Sequence, residues 1–297
     1  MGIQVDATDL QILHILLQDG RMSYEKIAKK VRLSPNAVRN RIDKMVKTGI
    51  IIRFVTYLNP ILFNQSICFS LATLKERTIQ SKLIEQMKEW KEVVGITTSV
   101  ENKITIVHHF KYPNQMHQTV EKLKELPEII GMKNYILLIP SSPGQFPSKI
   151  TKNDWRIIRA LRDNCRKTDV ELAAELDLSP KTIMRRISYL RNNGVVVFMI
   201  ELDTASGDLL TYELILTLQE VNSKIISKLQ SEIKDIFYIW RVANAEVLII
   251  TVRITHLAEI ITEIVDLETY VPTKMYYPRG WYDDFIEDQI KLNQSRG

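Results

Sequence analysis

Residues 9–53 read DLQILHILLQDGRMSYEKIAKKVRLSPNAVRNRIDKMVKTGIIIR, and residues 154–198 read DWRIIRALRDNCRKTDVELAAELDLSPKTIMRRISYLRNNGVVVF. The two stretches align without a gap at an offset of 145 residues, and eleven positions are identical. The identities include Leu33-Ser34-Pro35 with Leu178-Ser179-Pro180, and Gly49 with Gly194. A long internal period of this kind predicts a duplicated structural unit. The two copies are called module 1 and module 2.

Each module is predicted to form three helices followed by a β-hairpin. Apolar residues at helical spacing predict the first helix, and Ser23 is suited to cap the second. Ser34 can accept a hydrogen bond from a free N–H at the start of helix three, and Pro35 fits the first turn, where no donor is needed. Gly49 is suited to end that helix, and the apolar run over 50–57 predicts a strand of a wing.

The segments after the two modules resemble each other in the order of their predicted elements. After module 1, the pattern predicts strand 67–74, helix 79–90, strands 96–100 and 104–110, helix 114–126 and strand 135–139. After module 2, it predicts strand 210–218, helix 223–234, strands 237–242 and 247–254, helix 257–265 and strand 274–277. The order β-α-β-β-α-β is that of the ferredoxin-like split unit. We therefore predict an α+β chain with domains at 1–60, 61–140, 150–205 and 206–297, and a linker at 141–149.

The net charge of +5 is unevenly distributed along the chain. Residues 1–60 carry +5 and residues 149–205 carry +3, whereas residues 206–297 carry −5. A basic excess in the repeated modules indicates an element that binds a polyanion. The sequence has no apolar run long enough to cross a bilayer and no signal peptide, so we expect a cytoplasmic protein.

Catalytic and metal-binding patterns are not found in the sequence. Cys68 and Cys165 lie in unrelated contexts, which favours two reduced thiols. Adjacent residues on a strand point to opposite faces, so His108 and His109 cannot share one metal ion. The sequence therefore predicts no catalytic residue, no metal site and no cofactor.

The modules resemble the helix-turn-helix domain of the Lrp/AsnC (feast/famine) transcriptional regulators. The residues that carry the resemblance are Asp9-x-x-Ile12-Leu13, Asp19-Gly20-Arg21-x-Ser23, Ile27-Ala28, Leu33-Ser34, Val38-x-x-Arg41-Ile42 and Gly49-Ile50-Ile51. The segments that follow resemble, in element order, that family's ligand-sensing and dimerising (RAM) domain. The resemblance implies two winged helix-turn-helix domains, two ferredoxin-like α/β sandwich domains, and sequence-specific binding of double-stranded DNA. Family members usually carry one copy and dimerise, so the tandem duplication is unusual.

Helix three of each module is expected to read DNA, because its apolar residues must face the core and its polar residues are left outward. Arginine and asparagine suit guanine and adenine edges, and lysine suits a phosphate. The predicted DNA-binding residues are Asn36, Arg39, Asn40 and Lys44 in module 1 and Lys181, Thr182, Arg185 and Tyr189 in module 2.

Four further arginines leave two roles open. Arg41 and Arg186 either contact DNA or pair with the aspartate of helix one. Arg21 and Arg166 either meet a phosphate at the start of helix two or lie on the surface without a specific role.

The resemblance leaves the effector open. The family's sensing domain often has a glycine and an aspartate in the hairpin between its second and third strands, where they help enclose an amino acid. The hairpins here read Val100-Glu101-Asn102-Lys103 and Val242-Ala243-Asn244-Ala245-Glu246, without glycine. A side chain at that point crowds the pocket, so an amino-acid effector is in doubt.

Two other functions are weighed beside DNA binding. Siroheme decarboxylases resemble Lrp/AsnC proteins that have become enzymes, and His108, His109 and Arg241 are the residues that could serve such a reaction here. An amino-acid-binding protein without a DNA role is the other. The basic recognition helices favour the DNA-binding regulator.

The assembly has two solutions, since one chain holds two copies of each domain. The copies can pair within the chain or with those of a second chain. We expect a homodimer with four modules, because a sheet face rich in Ile, Val and Leu, around 104–107 and 247–250, invites coverage.

DNA binding through two basic surfaces predicts a steep dependence on salt. The logarithm of affinity should fall by about 0.9 per contacted phosphate for each unit of log salt concentration. Lys44→Ala should flatten that slope by roughly one unit and weaken all sequences alike. Titration of labelled duplex across a salt series measures the slope, and an affinity independent of salt would contradict DNA binding.

Overall fold

The computed structural model describes most of the chain. The described residues are 5–59, 64–138, 150–203, 212–218, 222–225, 227, 236–241, 246–251, 264–276, 284, 286–288 and 290–291. They form the predicted α+β fold, with two helix-turn-helix modules and two ferredoxin-like sheets.

Module 1 contains the three predicted helices, α1 (Ala7–Gln18), α2 (Tyr24–Val31) and α3 (Pro35–Lys47). Ser23 and Ser34 cap α2 and α3 by accepting hydrogen bonds from backbone N–H groups of the first turn. The apolar faces of the helices meet in one core, in which Ile12, Ile27 and Val38 are fully buried. The local sequence signals therefore correctly predicted the helices of this module.

Module 2 repeats these helices as α6 (Lys152–Leu161), α7 (Asp169–Leu176) and α8 (Pro180–Asn192). Thr168 and Ser179 cap α7 and α8 in the same way. The core again forms where the three helices meet, around the fully buried Trp155 and Ile183.

The predicted β-hairpin in each module is wrong. Each module contributes one strand, and the two strands pair with each other. Strand β1 (Ile51–Leu58) lies antiparallel to β6 (Val196–Leu202), with Arg53 opposite Glu201 and Leu58 opposite Val196. A strand finds its hydrogen-bond partners in any neighbouring edge, and here that edge comes from the other module. The two modules are thereby joined through a backbone ladder with one register shift, between Ile51 and Arg53.

The first α/β domain has the predicted element order. It comprises β2 (Ser66–Leu74), α4 (Gln80–Met87), β3 (Val93–Ser99), β4 (Lys103–Phe110), α5 (Pro113–Lys124) and β5 (Ile129–Ile136). Its strands lie in the order β3-β4-β2-β5, which is the ferredoxin-like arrangement. The helix-facing side of the sheet, including Ile104 and Ile106, is fully buried.

The second α/β domain departs from the prediction at its last strand. Strands β7 (Tyr212–Leu218), β8 (Ile236–Arg241), β9 (Glu246–Thr251) and β10 (Ile264–Tyr270) form a sheet in the order β10-β7-β9-β8. The segment predicted to close this sheet is instead β11 (Pro272–Tyr276), which pairs with β3 of the first domain. The predicted helices 223–234 and 257–265 fall largely outside the described residues, and Ile264 already belongs to β10.

The two sheets contact each other within the chain. Phe69, Leu71 and Tyr135 of the first sheet form an apolar cluster with Ile215 of the second. Glu268 on β10 accepts hydrogen bonds from Lys103 at 3.1 Å and Lys133 at 2.8 Å. The sheet face that was expected to attract a second chain is therefore in contact with the chain's own second domain. Assembly of two chains stays a prediction, but an uncovered sheet face is no longer a reason for it.

The end of the chain packs against module 2. Ile286 and Ile290 are buried in the core of that module. Glu287 forms an ion pair with Arg159 of α6, and Asp284 forms one with Lys91 of the first α/β domain, at 3.1 and 3.2 Å. This terminal segment therefore connects the first α/β domain with module 2.

Gly20 lies where the backbones of the two modules come close together. Its N–H donates to the carbonyl of Phe198 at 2.8 Å, and a Cβ at this position would lie 2.9 Å from the backbone N and O of Met199. The equivalent residue of module 2 is Cys165, whose N–H donates to the carbonyl of Phe54 at 3.0 Å.

Gly20→Ala should therefore destabilise the paired modules. The added methyl group would meet backbone atoms, which cannot move aside as a flexible side chain can. We expect the free energy of unfolding to fall by about 1–3 kcal/mol, the usual range for overpacking. Cys165→Ala, at the equivalent position, removes one sulfur without adding a clash and is the matched comparison. Urea unfolding followed by circular dichroism measures both, and an unchanged stability of Gly20→Ala would contradict the close approach.

Candidate nucleic-acid interface

The position of α3 in module 1 is set by the cap of its first turn, by its buried apolar side and by the ion pairs of Arg41. Ser34 caps its first turn, and Val38, Ile42 and Met45 hold its apolar side in the core. Arg41 donates to Asp9 of α1 at 2.8 Å. The opposite side of α3 is thereby turned to solvent.

The exposed face of α3 carries all four residues that were predicted to bind DNA in module 1. Asn36, Arg39, Asn40 and Lys44 are exposed. Arg39 lies 3.8 Å from Asp43 on the next turn, an exposed pair that contributes little to stability and leaves the guanidinium available. The face is rich in hydrogen-bond donors and carries a net positive charge.

The equivalent face of α8 differs in chemistry and in accessibility. Lys181 and Arg185 are exposed. Thr182 is half-buried, with its hydroxyl 2.9 Å from that of Ser179 in the helix cap. Tyr189 is half-buried, with its ring 4.3 Å from the guanidinium of Arg186. Two of the four predicted residues of module 2 are therefore engaged in contacts within their own helix.

Arg41 and Arg186 form internal ion pairs. Arg41 contacts Asp6 and Asp9, whose hydrogen bonds raise the pKa of its guanidinium above the ordinary value. Arg186 pairs with Asp154, which is fully buried, and the hydrogen bonds that Arg186 donates to this carboxylate likewise raise the pKa of Arg186. In both modules the pair connects the first helix to the third. The geometry favours the structural role of the two that the sequence left open.

Neither role considered for Arg21 and Arg166 describes where they lie. Arg21 reaches into module 2, where it donates to the carbonyls of Cys165 and Lys167 and pairs with Asp169 at 3.2 Å. Arg166 reaches into module 1 and donates to the carbonyl of Gly20 at 3.0 Å. Burial lowers the pKa of Arg21, whose side chain is only 16% exposed. The two arginines therefore link the modules to each other.

Sequence reasoning missed this module interface. Arg53 of β1 forms an ion pair with the buried Glu201 of β6, which also accepts a hydrogen bond from Tyr57 at 2.8 Å. Arg191 pairs with Asp19 across the same interface. The one available signal was the identity of Arg21 and Arg166 at equivalent positions, next to residues suited to a tight turn.

The hairpin between β3 and β4 is filled by the protein itself. The amide of Gln80 donates to the carbonyls of Ser99, Glu101 and Lys103 at 2.9–3.2 Å. The N–H of Val100 donates to the carbonyl of Val271, next to β11. The backbone groups of this hairpin are thus bonded to a side chain of α4 and to the segment that precedes β11. The second hairpin, 242–245, lies outside the described residues.

The histidines of β4 are packed inside the first α/β domain. His108 is fully buried, with Nε2 at 2.9 Å from the hydroxyl of Ser70, which itself donates to Asn134. Since Ser70 has one proton to give, Nε2 of His108 is the donor to it. Burial lowers the pKa of His108 and of His109 to about 4, so both rings are neutral near pH 7. Arg241 lies on β8, and its side chain is not described.

Membrane-spanning helices and metal-site clusters are both absent from the described residues. Their helices include none that is long and apolar enough to span a membrane. The same part of the chain brings together no cluster of three or more His, Cys, Asp or Glu side chains with the geometry of a metal site.

Both modules match known DNA-binding domains. An AsnC-type helix-turn-helix domain matches residues 5–46, and a winged helix-turn-helix DNA-binding domain matches residues 150–197. The uncharacterized HTH-type transcriptional regulator PF1231 of Pyrococcus furiosus is 32% identical over 128 residues, which cover 42% of this chain and 79% of that protein. This chain belongs to the Lrp/AsnC family of transcriptional regulators.

A second relative is the transcriptional regulator LysM. The HTH-type transcriptional regulator LysM of Saccharolobus solfataricus is 26% identical over 138 residues, which cover 45% of this chain and 94% of LysM. These relatives match about half of this Lrp/AsnC protein, as expected for a tandem duplication. The chain is accordingly a DNA-binding transcription regulator.

Similarity to solved structures extends along nearly the whole chain. The siroheme decarboxylase NirDL covers 97% of this Lrp/AsnC chain and 100% of its own, with a TM-score of 0.55 and 11% sequence identity. At this identity the match shows that the two proteins share a fold.

The contacts of Arg21 predict an effect on stability that a DNA-contacting residue would not have. Arg21→Ala should lower the free energy of unfolding by about 1.5–3 kcal/mol, because it removes charge-assisted hydrogen bonds that are largely buried. Arg21→Lys should not restore it, since an ammonium cannot reach two carbonyls and a carboxylate with the fork of a guanidinium.

Two exposed residues serve as controls in the same urea titration. Lys29→Ala on α2 should leave the unfolding midpoint unchanged. Asn40→Ala on α3 should weaken operator binding and also leave the unfolding midpoint unchanged. If Arg21→Ala unfolds at the wild-type midpoint, Arg21 does not hold the modules together.

Proposed function

We propose that a single chain acts as a built-in dimer that reads an operator of two dissimilar half-sites, one with α3 and one with α8. The pairing of β1 with β6 is the observation that carries this proposal. It joins the two modules as two subunits would be joined, while Lys44 on α3 and Arg185 on α8 stay exposed.

The reading residues of module 1 are proposed to act in two ways. Arg39 and Asn40 contact base edges, because their donor and acceptor geometry fits guanine and adenine. Asn36 and Lys44, at the two ends of the exposed face, contact the backbone phosphates. These roles require only that the face be free, and all four residues are exposed.

In module 2, Lys181 and Arg185 are proposed as the main polar contacts. Thr182 and Tyr189 are assigned a smaller part, since both are half-buried and contact their own helix. The two half-sites should differ, because α8 has a methionine and a serine where α3 has an arginine and an aspartate.

We propose that the first α/β domain has no amino-acid effector in its β3–β4 hairpin. The amide of Gln80 and the backbone of Val271 already use the polar groups of that hairpin. An effector, if this regulator has one, would bind elsewhere. Association of two chains into an assembly with four modules is a further proposal, which sedimentation equilibrium tests.

The proposed role is not enzymatic, and decarboxylation of siroheme is the second candidate. The observation in its favour is the fold shared with a siroheme decarboxylase along 97% of the chain. Against it, His108 is fully buried and neutral, and its Nε2–H donates a hydrogen bond to Ser70. Anaerobic incubation with siroheme followed by mass spectrometry separates the two candidates, and removal of carboxyl groups at a catalytic rate would favour the enzyme.

The direct test is selection of bound fragments from random DNA at physiological salt, followed by footprinting and by the mass of the complex. We expect one chain to protect two dissimilar half-sites whose centres lie one helical turn, roughly 34–36 Å, or a multiple of it apart. Two chains on the operator, each protecting one half-site, would contradict the proposal.

Variants then assign each half-site to a helix. Asn40→Ala should relax base preference in one half-site and Arg185→Ala in the other, by about 1–3 kcal/mol for each bidentate hydrogen-bonded pair with a base that the variant removes. Lys111→Ala, an exposed substitution in the first α/β domain, is the control and should change neither. Unchanged preference in both reading variants would show that α3 and α8 do not read the bases.

A further inference from the structure

Met184 is an apolar side chain on the face of α8 that we propose to read DNA. It occupies the position of Arg39 in the other module, at the offset of 145 residues that relates the two copies. Its exposed fraction is 54%, and it belongs to none of the described core clusters. A large apolar residue in this place has no role in holding α8 to its module, because Ile183 and Ile187 fill that core.

The exposed faces of α3 and α8 differ in charge at Met184 and at the position one turn after it. In α3, Arg39 lies next to Asp43, a pair of charges one turn apart. In α8, both members of that pair are replaced, by Met184 and by the exposed Ser188. Lys181 and Arg185 flank the methionine and remain exposed. The centre of the face is therefore uncharged while its border is basic.

One feature of B-DNA fits such a centre. In the major groove the only apolar group on a base edge is the C5-methyl group of thymine, and apolar side chains contact it. A methionine side chain is unbranched and polarizable, so it can follow a methyl group without a fixed geometry. The lysine and arginine beside it would meet the phosphates and flanking base edges.

We infer that Met184 contacts a thymine methyl group and so makes the half-site of module 2 specific for an A·T pair at the position where module 1 reads with Arg39. The inference rests on the proposed reading by α8 and adds the base that this helix selects. An operator with a thymine in one half-site and a different base at the equivalent point of the other follows from it.

The test uses the operator obtained by selection, with each thymine of the module 2 half-site replaced in turn by deoxyuridine. Uracil keeps the pairing and the O4 acceptor of thymine and lacks only the methyl group. We expect one replacement to weaken binding by the wild-type chain about fourfold, the equivalent of one buried methyl group. Met184→Ala should bind the thymine and uracil operators equally, and Met184→Leu should retain most of the difference.

Controls separate this inference from the function on which it rests. Val170→Ala removes another exposed apolar side chain of module 2, on α7, and should keep the fourfold difference. If the wild-type chain binds the operator but no replacement by deoxyuridine has an effect, or if selection shows no thymine in that half-site, the inference is wrong and DNA reading stands. If the chain shows no salt-dependent binding to any DNA, both the proposed function and this inference are wrong. Equal sensitivity of Met184→Ala and the wild type to uracil would assign the methyl group to another residue and overturn the inference.

Discussion

Pairing of β1 with β6 is the interaction on which the arrangement of the two DNA-reading helices depends. The backbone ladder joins the modules, and charged side chains around it reach from one module to the other. Arg21 and Arg166 each cross to the other module, and Glu201 accepts hydrogen bonds from two residues of the opposite strand. A buried charge that loses its partner costs several kcal/mol, about 3–5, so we expect the two modules to separate cooperatively.

The two α/β domains are also joined to each other, as the two modules are. The two sheets meet through Ile215 and the cluster around Phe69, and β11 leaves its own domain to extend the first sheet. The terminal segment then connects Lys91 of the first α/β domain to the core of module 2. The first α/β domain therefore contacts the second α/β domain directly and module 2 through the terminal segment.

The sequence predicted what is decided locally and failed where the partner is remote. Ser34 and Ser179 mark the start of the third helix, and the apolar spacing indicates its buried side, so the exposed faces with Lys44 and Arg185 were predictable. The partner of β1 was not, because a strand of that composition fits a hairpin as well as an edge contributed by the distant second module. Strand β11 was assigned to the wrong sheet for the same reason. For Arg21 the sequence offered a phosphate contact or a surface position, since nothing in its neighbours reveals the second module across the interface.

The central claim is that one free chain already holds its two reading helices in a fixed relation. Nitroxide labels on Lys47→Cys and Asn192→Cys, equivalent exposed positions at the ends of α3 and α8, measure it by double electron–electron resonance. Both native cysteines are buried, so labelling can be confined to the new positions. A fixed pair predicts one narrow distance distribution that is the same with and without operator. A broad distribution in the free chain that narrows only on DNA would contradict the claim.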